Sequence, residues 1–306
     1  KTRFTTAGLL PAGLPSFLHG YQRGSELWLY EQPSDYYRRH LLLHEGTHGF
    51  MKRFLGGGGP PWYMEGTAEL FGTHRWANGE LRTRWFPEDQ EQTAMWGRIK
   101  AIQDNYRAGR GKTIEDIMRY DKTAHLQVEP YAWSWAAVAF FDSHPKYQDR
   151  FRELRKFAPD DTMTFSLRLY NGLQDEWPSV ARQWHVFVAT VDYGFDIARE
   201  AIEVKPVVDV PESGAAISIA ADRGWQSTGY RVEAGVKYKI EASGRYQLAP
   251  EPKIWWCEPN GVTIRYHQGM PLGVLIGAII DESAGDGGAL PLADPKAIGF
   301  GGEYPV

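Results

Sequence analysis

The sequence predicts an α+β multidomain protein in which a mainly helical domain is followed by a C-terminal β-sandwich. The chain has 306 residues, and at roughly 100–200 residues per domain this length favours two domains. Apolar residues recur mostly at helical spacing up to residue 203. From residue 204 onward they alternate with a period of two and are interrupted by Gly and Pro. We therefore expect one domain over residues 1–203 and a second over residues 204–306.

The helices of the first domain are predicted from caps and breaks. Ser34 is a typical helix cap, and residues 36–55 follow as one helix until four glycines and two prolines stop it. A second helix is expected over residues 62–76, and a strand over residues 26–30. Further helical patterns cover residues 90–106, 113–119, 131–142, 147–156 and 180–201.

The second domain shows short alternating segments separated by Gly- and Asn-Gly-containing turns, a pattern typical of a β-sandwich. The predicted strands lie at residues 216–220, 230–233, 237–242, 262–266 and 274–280.

Composition excludes several classes of protein. Hydrophobic residues make up 42% and charged residues 24% of the chain, which is ordinary for a globular protein and excludes disorder. The net charge of −4 gives no reason to expect a nucleic-acid partner. Since no run of about 20 apolar residues occurs, we expect no membrane span. Cys257 is the single cysteine, so no internal disulfide can form.

The chemistry is predicted by the sequence HEGTH at residues 44–48, inside the first long helix. Residues four apart share a helix face, so His44 and His48 can bind one metal ion. Glu45 beside them can take a proton from a metal-bound water. A five-residue match can also arise by chance. However, the preceding apolar residues predict a buried helix, where polar side chains need partners.

A zinc ion needs a third protein ligand, and Glu65 is predicted for that role. It lies in the first turn of the second helix, so it is close to the connection and hence to His48. Glu69, one turn further on, is predicted to accept the free N–H of a ligand histidine, in the first instance His44. The alternative for Glu69 is a surface carboxylate paired with an arginine such as Arg75.

The combination of HEGTH at residues 44–48 with WYMEGTAE at residues 62–69 resembles the gluzincin metallopeptidases, in particular the bacterial peptidase MA-like group. The resemblance covers roughly residues 20–200 and implies a zincin-like fold, a Zn²⁺ cofactor and a peptide or protein substrate. In that group a helix of this second pattern follows the zinc helix, and its glutamate binds zinc. The group also contains exported bacterial proteins, which implies an extracytoplasmic or secreted location.

The segment PYAWSWAAVAFF at residues 130–141 is similar to a helix of the same family whose tyrosine donates a hydrogen bond to the reacting carbonyl oxygen. By position that tyrosine is Tyr131, and the chemistry needs such a donor because negative charge develops on that oxygen. The alternative is that Tyr131 simply begins a buried helix with its ring in the core.

Other features receive simpler interpretations. His74 is expected to be a surface residue on the opposite face of the second helix. The remaining histidines are expected to be ordinary surface or core residues: His19, His40, His125, His144 and His185. The strand over residues 26–30 offers an edge for an extended substrate. Related aminopeptidases carry a Gly-x-Met-Glu-Asn motif that grips the substrate amine. The chain lacks this motif, so an endopeptidase is the expectation.

The short sequence motifs WQSTG, ASG and GVLIG after residue 224 resemble motifs of the PA-IL (galactose-binding lectin) β-sandwich family. The resemblance implies a fold more than a ligand. The chain ends before the loop that binds calcium in that family, so we expect a shortened or divergent domain with a structural or substrate-positioning role.

The sequence thus predicts a zinc peptidase. Two alternatives remain open. In one, the β-domain recognises a cell-surface glycan and the zincin domain is inactive or self-restrained. In the other, the zinc ion is only a structural cross-link.

Overall fold

The structure is a computed structural model that describes residues 2–10, 13–124, 127–280, 292 and 294–306. Its mixture of helices and small sheets is an α+β fold, as predicted. The chain divides into two compact units, Lys1–Trp177 with Phe187–Ala198, and Pro178–Val186 with Arg199–Val306. The finer prediction of domains over residues 1–203 and 204–306 stays a prediction.

Helices dominate the first unit, and the last of them extends across the division between the units. The helices are α1 (Thr2–Thr6), α2 (Asp35–Phe50), α3 (Pro61–Gly72), α4 (Arg98–Arg107), α5 (Ile114–Met118), α6 (Val128–Ser143), α7 (Gln148–Glu153), α8 (Met163–Gly172) and α9 (Trp177–Thr190). Helix α2 continues into a π-helical turn, Met51–Leu55, and ends at Gly56, whose φ of 79° suits a residue without a Cβ. Helix α8 was not predicted from the sequence.

Helix α3 packs against both α2 and α6. Helix α6 is buried from Ala132 to Asp142, as expected for a helix that is apolar on all sides. A glycine permits the close approach of the two backbones: a Cβ on Gly66 would lie 2.4 Å from the carbonyl oxygen of Ser134. The tight contact between α3 and α6 fixes the position of the residue that precedes Gly66, namely Glu65.

Two antiparallel hairpins accompany the helices of this unit. Strands β1 (Gly20–Arg23) and β2 (Glu26–Leu29) form the first, with Gly20 opposite Leu29, and β1 packs on α2. Strands β3 (His74–Ala77) and β4 (Glu80–Thr83) form the second. The turn between β3 and β4 is Asn78-Gly79, whose φ angles of 54° and 80° are the positive values that a tight hairpin turn requires.

The second hairpin corrects the prediction of a helix over residues 62–76. Helix α3 ends at Gly72, because Thr73 takes an extended conformation with ψ of 113°. The Thr73 hydroxyl and N–H both donate to the carbonyl oxygen of Glu69, at 2.7 and 2.8 Å, and this completes the last turn. The helix therefore ends four residues earlier than expected.

The second unit contains only two-stranded sheets among its described residues. Its strands are β5 (Val208–Asp209), β6 (Tyr230–Arg231), β7 (Lys237–Glu241), β8 (Tyr246–Ala249), β9 (Trp255–Cys257), β10 (Val262–His267), β11 (Met270–Leu272), β12 (Ile276–Gly277), β13 (Lys296–Ala297) and β14 (Gly301–Pro305). Strands β5 and β6 are parallel, whereas β7 with β14, β8 with β9, β10 with β11 and β12 with β13 are antiparallel.

The predicted strands at residues 230–233, 237–242 and 262–266 coincide with β6, β7 and β10. The strand predicted at residues 274–280 is reduced to β12. The strand predicted at residues 216–220 does not form, and Ile217 and Ile219 in it are 46% and 44% exposed. A sandwich needs two larger sheets face to face, so the β-sandwich stays a prediction. No helix in the described part of the chain is long and apolar enough to span a bilayer.

Candidate metal centre

Helix α2 carries a line of three buried histidines on one face. The Ser34 side chain accepts a hydrogen bond from the N–H of Tyr37 at 3.2 Å and caps the helix. His40, His44 and His48 then follow at intervals of four residues, and each is at most 8% exposed. This spacing brings neighbouring rings together on one side of a helix, and the ring centroids of His44 and His48 are 4.7 Å apart.

Helix α3 brings Glu65 to His44 and His48. Its carboxylate oxygen Oε2 lies 3.4 Å from Nε2 of His44 and 3.3 Å from Nε2 of His48. The two Nε2 atoms are themselves 3.1 Å apart. The two helices predicted to share an ion therefore bring these three side chains together, and all three are buried.

The three atoms have the spacing of metal ligands. Two ligands at about 2.0–2.1 Å from a tetrahedral zinc ion lie about 3.3 Å from each other, close to the observed separations. Glu65 Oε2 is buried and makes no hydrogen bond within the described part of the chain, and such a group is costly unless something else satisfies it. Buried His and Glu side chains of this chain can thus hold a metal ion.

The charges of the cluster shift two pKa values in opposite directions. Burial alone would lower the pKa of His44, but the carboxylates of Glu65 and Glu69 outweigh it and raise the pKa to about 10. Burial alone would raise the pKa of Glu65, but His44 and His48 lower it to about 2. The carboxylates of the cluster therefore stabilise a positive charge on His44, and they would stabilise a bound cation in the same way.

Glu45 lies next to these ligands in α2 and is 9% exposed. Its carboxylate makes no hydrogen bond to a residue in the described part of the chain. Its carboxylate lies against strand β1, where a Cβ added to Gly20 would be 2.7 Å from Oε1 and 2.9 Å from Cγ of Glu45. The absence of a side chain at Gly20 thus leaves the space that the Glu45 carboxylate fills.

Glu69 is not a surface carboxylate, so that part of the alternative is wrong, and the arginine with which it pairs is Arg98 rather than Arg75. It is 1% exposed, and the guanidinium of Arg98 in α4 donates to both of its oxygens, with Nε to Oε2 and Nη2 to Oε1 each 3.0 Å. Its Oε1 also lies 3.4 Å from Nδ1 of His44 and 3.4 Å from Nε2 of His40. Burial would raise the pKa of Glu69, but Arg98 and then His40 hold it well below the usual range.

Tyr131 lies in the first turn of α6, and its ring centroid is 5.8 Å from that of His44. Arg98 lies over the same ring, with Cζ 5.5 Å from the centroid. Burial, followed by the negative charge of Glu65, raises the pKa of the Tyr131 hydroxyl above its ordinary value. The hydroxyl therefore keeps its proton at neutral pH. Unlike the eleven residues that follow it, Tyr131 is only partly buried.

The structure also shows what the sequence analysis missed. His40 belongs to the cluster, and its signal was in the sequence, because it precedes His44 by four residues. His74 is 2% exposed, so its prediction as a surface histidine is wrong. It lies in β3 beyond the end of α3, and its ring stacks on that of Tyr36 with centroids 4.5 Å apart. Arg98 belongs to no motif, and no local pattern pointed to it. His125, which was expected to be an ordinary surface or core residue, lies outside the described residues.

Comparison of the chain with protein-family models, with curated proteins and with solved structures finds no match. The resemblance to gluzincin metallopeptidases and to PA-IL therefore stays a prediction.

Proposed function

We propose that the chain is a zinc-dependent peptidase, in the first place an endopeptidase, that hydrolyses peptide bonds with Glu45 as general base. One observation supports this above all. His44 Nε2, His48 Nε2 and Glu65 Oε2 lie within 3.1–3.4 Å of one another, and the residue that follows His44 in the helix is Glu45.

Zinc suits this set of ligands. Two imidazoles and one carboxylate are a known catalytic zinc set, whose fourth position is left for water or substrate. His44, His48 and Glu65 would bind the ion. Once bound, zinc lowers the pKa of a water molecule and polarises the peptide carbonyl.

Glu45 has the properties of a general base in this setting. A carboxylate that accepts no hydrogen bond from the described residues can take a proton from water and later pass it to the leaving amine. The Glu45 carboxylate fills the space beside Gly20, so it has a defined place. A base must lie close to the proton that it removes, and Glu45 directly follows the first ligand in the helix.

Tyr131 would act on the carbonyl oxygen of the substrate. Its hydroxyl stays protonated, and its ring lies next to His44. A donor at this place stabilises the negative charge that develops on the oxygen during attack. An extracytoplasmic location is also part of the proposal, and it is supported by the resemblance alone.

The test combines zinc analysis with digestion of a peptide library. We expect the wild-type chain and Glu45→Gln to bind zinc equally, and Glu45→Gln to lose peptide cleavage. Glu88→Gln, at an exposed position of the same unit, is the control and should cleave normally.

Cleavage by Glu45→Gln at the wild-type rate would refute the assigned base. If the wild-type chain binds zinc tightly and cleaves no peptide, the alternative of a structural zinc cross-link is supported instead.

A further inference from the structure

The cluster on α2 contains a second group of possible metal ligands. His40, His44 and Glu69 also bring three ligand atoms within 4.8 Å of one another, and all three side chains are buried. This group shares His44 with the first one. Nε2 of His44 faces Glu65, whereas its Nδ1 faces Glu69. By spacing alone, the chain therefore resembles a centre for two metal ions joined through one imidazole.

The guanidinium of Arg98 places a fixed positive charge against Glu69 of the second group. Arg98 is 7% exposed and donates to both oxygens of Glu69 with equal distances of 3.0 Å. This is the bidentate geometry in which a guanidinium pairs most strongly with a carboxylate. A metal ion on Glu69 would compete with these two hydrogen bonds, and it would meet the buried charge of Arg98 at close range.

We propose that Arg98 is a positioning residue of the metal centre. It holds the Glu69 carboxylate against Nδ1 of His44 and takes the place of a second cation, so that the centre binds one ion. Glu69 in turn sets the orientation of His44 towards Glu65. Carboxylates placed behind a histidine ligand act in this way on metal affinity.

Two neighbouring residues complete this arrangement. His40 Nε2 also lies 3.4 Å from the same Glu69 oxygen, so the carboxylate contacts two imidazoles and a guanidinium. Tyr131 lies against Arg98 through its ring. The inference rests on the metal site of the proposed function, but not on peptidase activity.

The test is a zinc titration followed by competition with a chelator and by native mass spectrometry. We expect one zinc ion per wild-type chain. Arg98→Met, which removes the charge and both hydrogen bonds, should lower zinc affinity about 10–100-fold. Arg107→Met is the matched control, because it lies in the same helix but is largely exposed, and it should bind zinc like the wild type.

The sign of the change separates positioning from simple charge repulsion. Removing a positive charge near a bound cation should raise affinity if Arg98 acts only through its field. An affinity that is unchanged or higher in Arg98→Met would therefore overturn the proposal, as would two ions in the wild-type chain.

Further variants test the proposal in case Arg98→Met does not fold. Arg98→Lys keeps the charge but cannot donate to both oxygens in the same way, so we expect a smaller loss of affinity, and no loss at all would overturn the proposal. In a Glu69→Gln background, Arg98→Met should add little, because both act through the same carboxylate. Independent, additive losses would contradict this. A wild-type chain that binds no zinc would overturn both this inference and the proposed function, whereas a zinc-bound but inactive chain would contradict only the latter.

Discussion

The close contact between α3 and α6 is the feature of the fold on which the position of Glu65 depends, and Gly66→Ala tests it. The new methyl group would lie 2.4 Å from the carbonyl oxygen of Ser134 and 2.5 Å from Cγ2 of Val138. The first of these contacts is about 1 Å shorter than ordinary van der Waals contact. Because a backbone carbonyl cannot rotate away, the two helices must move apart.

The magnitude follows from two opposing terms. Overpacking a well-packed core costs typically 1–3 kcal/mol, and a backbone clash belongs at the upper end. Replacing a helical Gly by Ala stabilises the helix by about 1 kcal/mol. We therefore expect Gly66→Ala to lower the free energy of unfolding by about 2 kcal/mol, or the Tm of this unit by about 4–8 °C.

The matched control is Gly46→Ala. Gly46 also lies inside a helix, α2, but there a Cβ would meet only Cδ1 of Leu27 at 3.8 Å, an ordinary contact. We expect this change to be neutral or to stabilise the chain by up to about 1 kcal/mol. Urea unfolding, followed by tryptophan fluorescence with chelator present, compares the variants without a contribution from bound metal. The reasoning is refuted if Gly66→Ala is as stable as the wild type, or if both substitutions cost the same.

Two further predictions concern the site. Gly20→Ala should displace the Glu45 carboxylate and lower kcat. In a Glu45→Ala background the same change should cost little stability, because the clash has gone. An equal loss of stability in both backgrounds would contradict the contact between Gly20 and Glu45. Tyr131→Phe should lower kcat by about 10²–10³-fold with little change in KM or zinc content, and a normal kcat would assign Tyr131 to the core instead.

The parts of the fold that the sequence predicted well are those with local signals. Helix α2 has a capping serine, an apolar pattern and a glycine end, and the predicted range of residues 36–55 coincides with α2 and its π-helical turn. The end of α3 was misplaced because the Asn78-Gly79 turn, a strong hairpin signal, was not given weight against the helical pattern before it. That single error also put His74 at the surface.

The site could be predicted in part for the same reason. His44, His48 and Glu65 come from two helices that are consecutive in the chain, so their convergence follows from spacing and one short connection. Arg98 could not be found in this way. It reaches Glu69 from α4, which lies beyond the second hairpin, and only the packing of the helices brings the two residues together. Buried ion pairs between distant segments leave no periodic pattern in a sequence.

The second unit was the least predictable part. Alternation of apolar and polar residues indicates strands; three of the five predicted strands coincide with strands of the structure, and a fourth is reduced to β12. The pairing of strands, however, depends on residues far apart in the chain, as with β7 and β14. Alternation says nothing about such partners.

The central claim is that His44, His48 and Glu65 hold one metal ion. Crystals of the zinc-loaded chain, measured on both sides of the zinc absorption edge, test it directly. We predict a single anomalous peak at about 2.0–2.2 Å from Nε2 of both histidines and from a carboxylate oxygen of Glu65. A peak bound by other residues, or a Glu65 side chain directed away from the two imidazoles, would contradict the account.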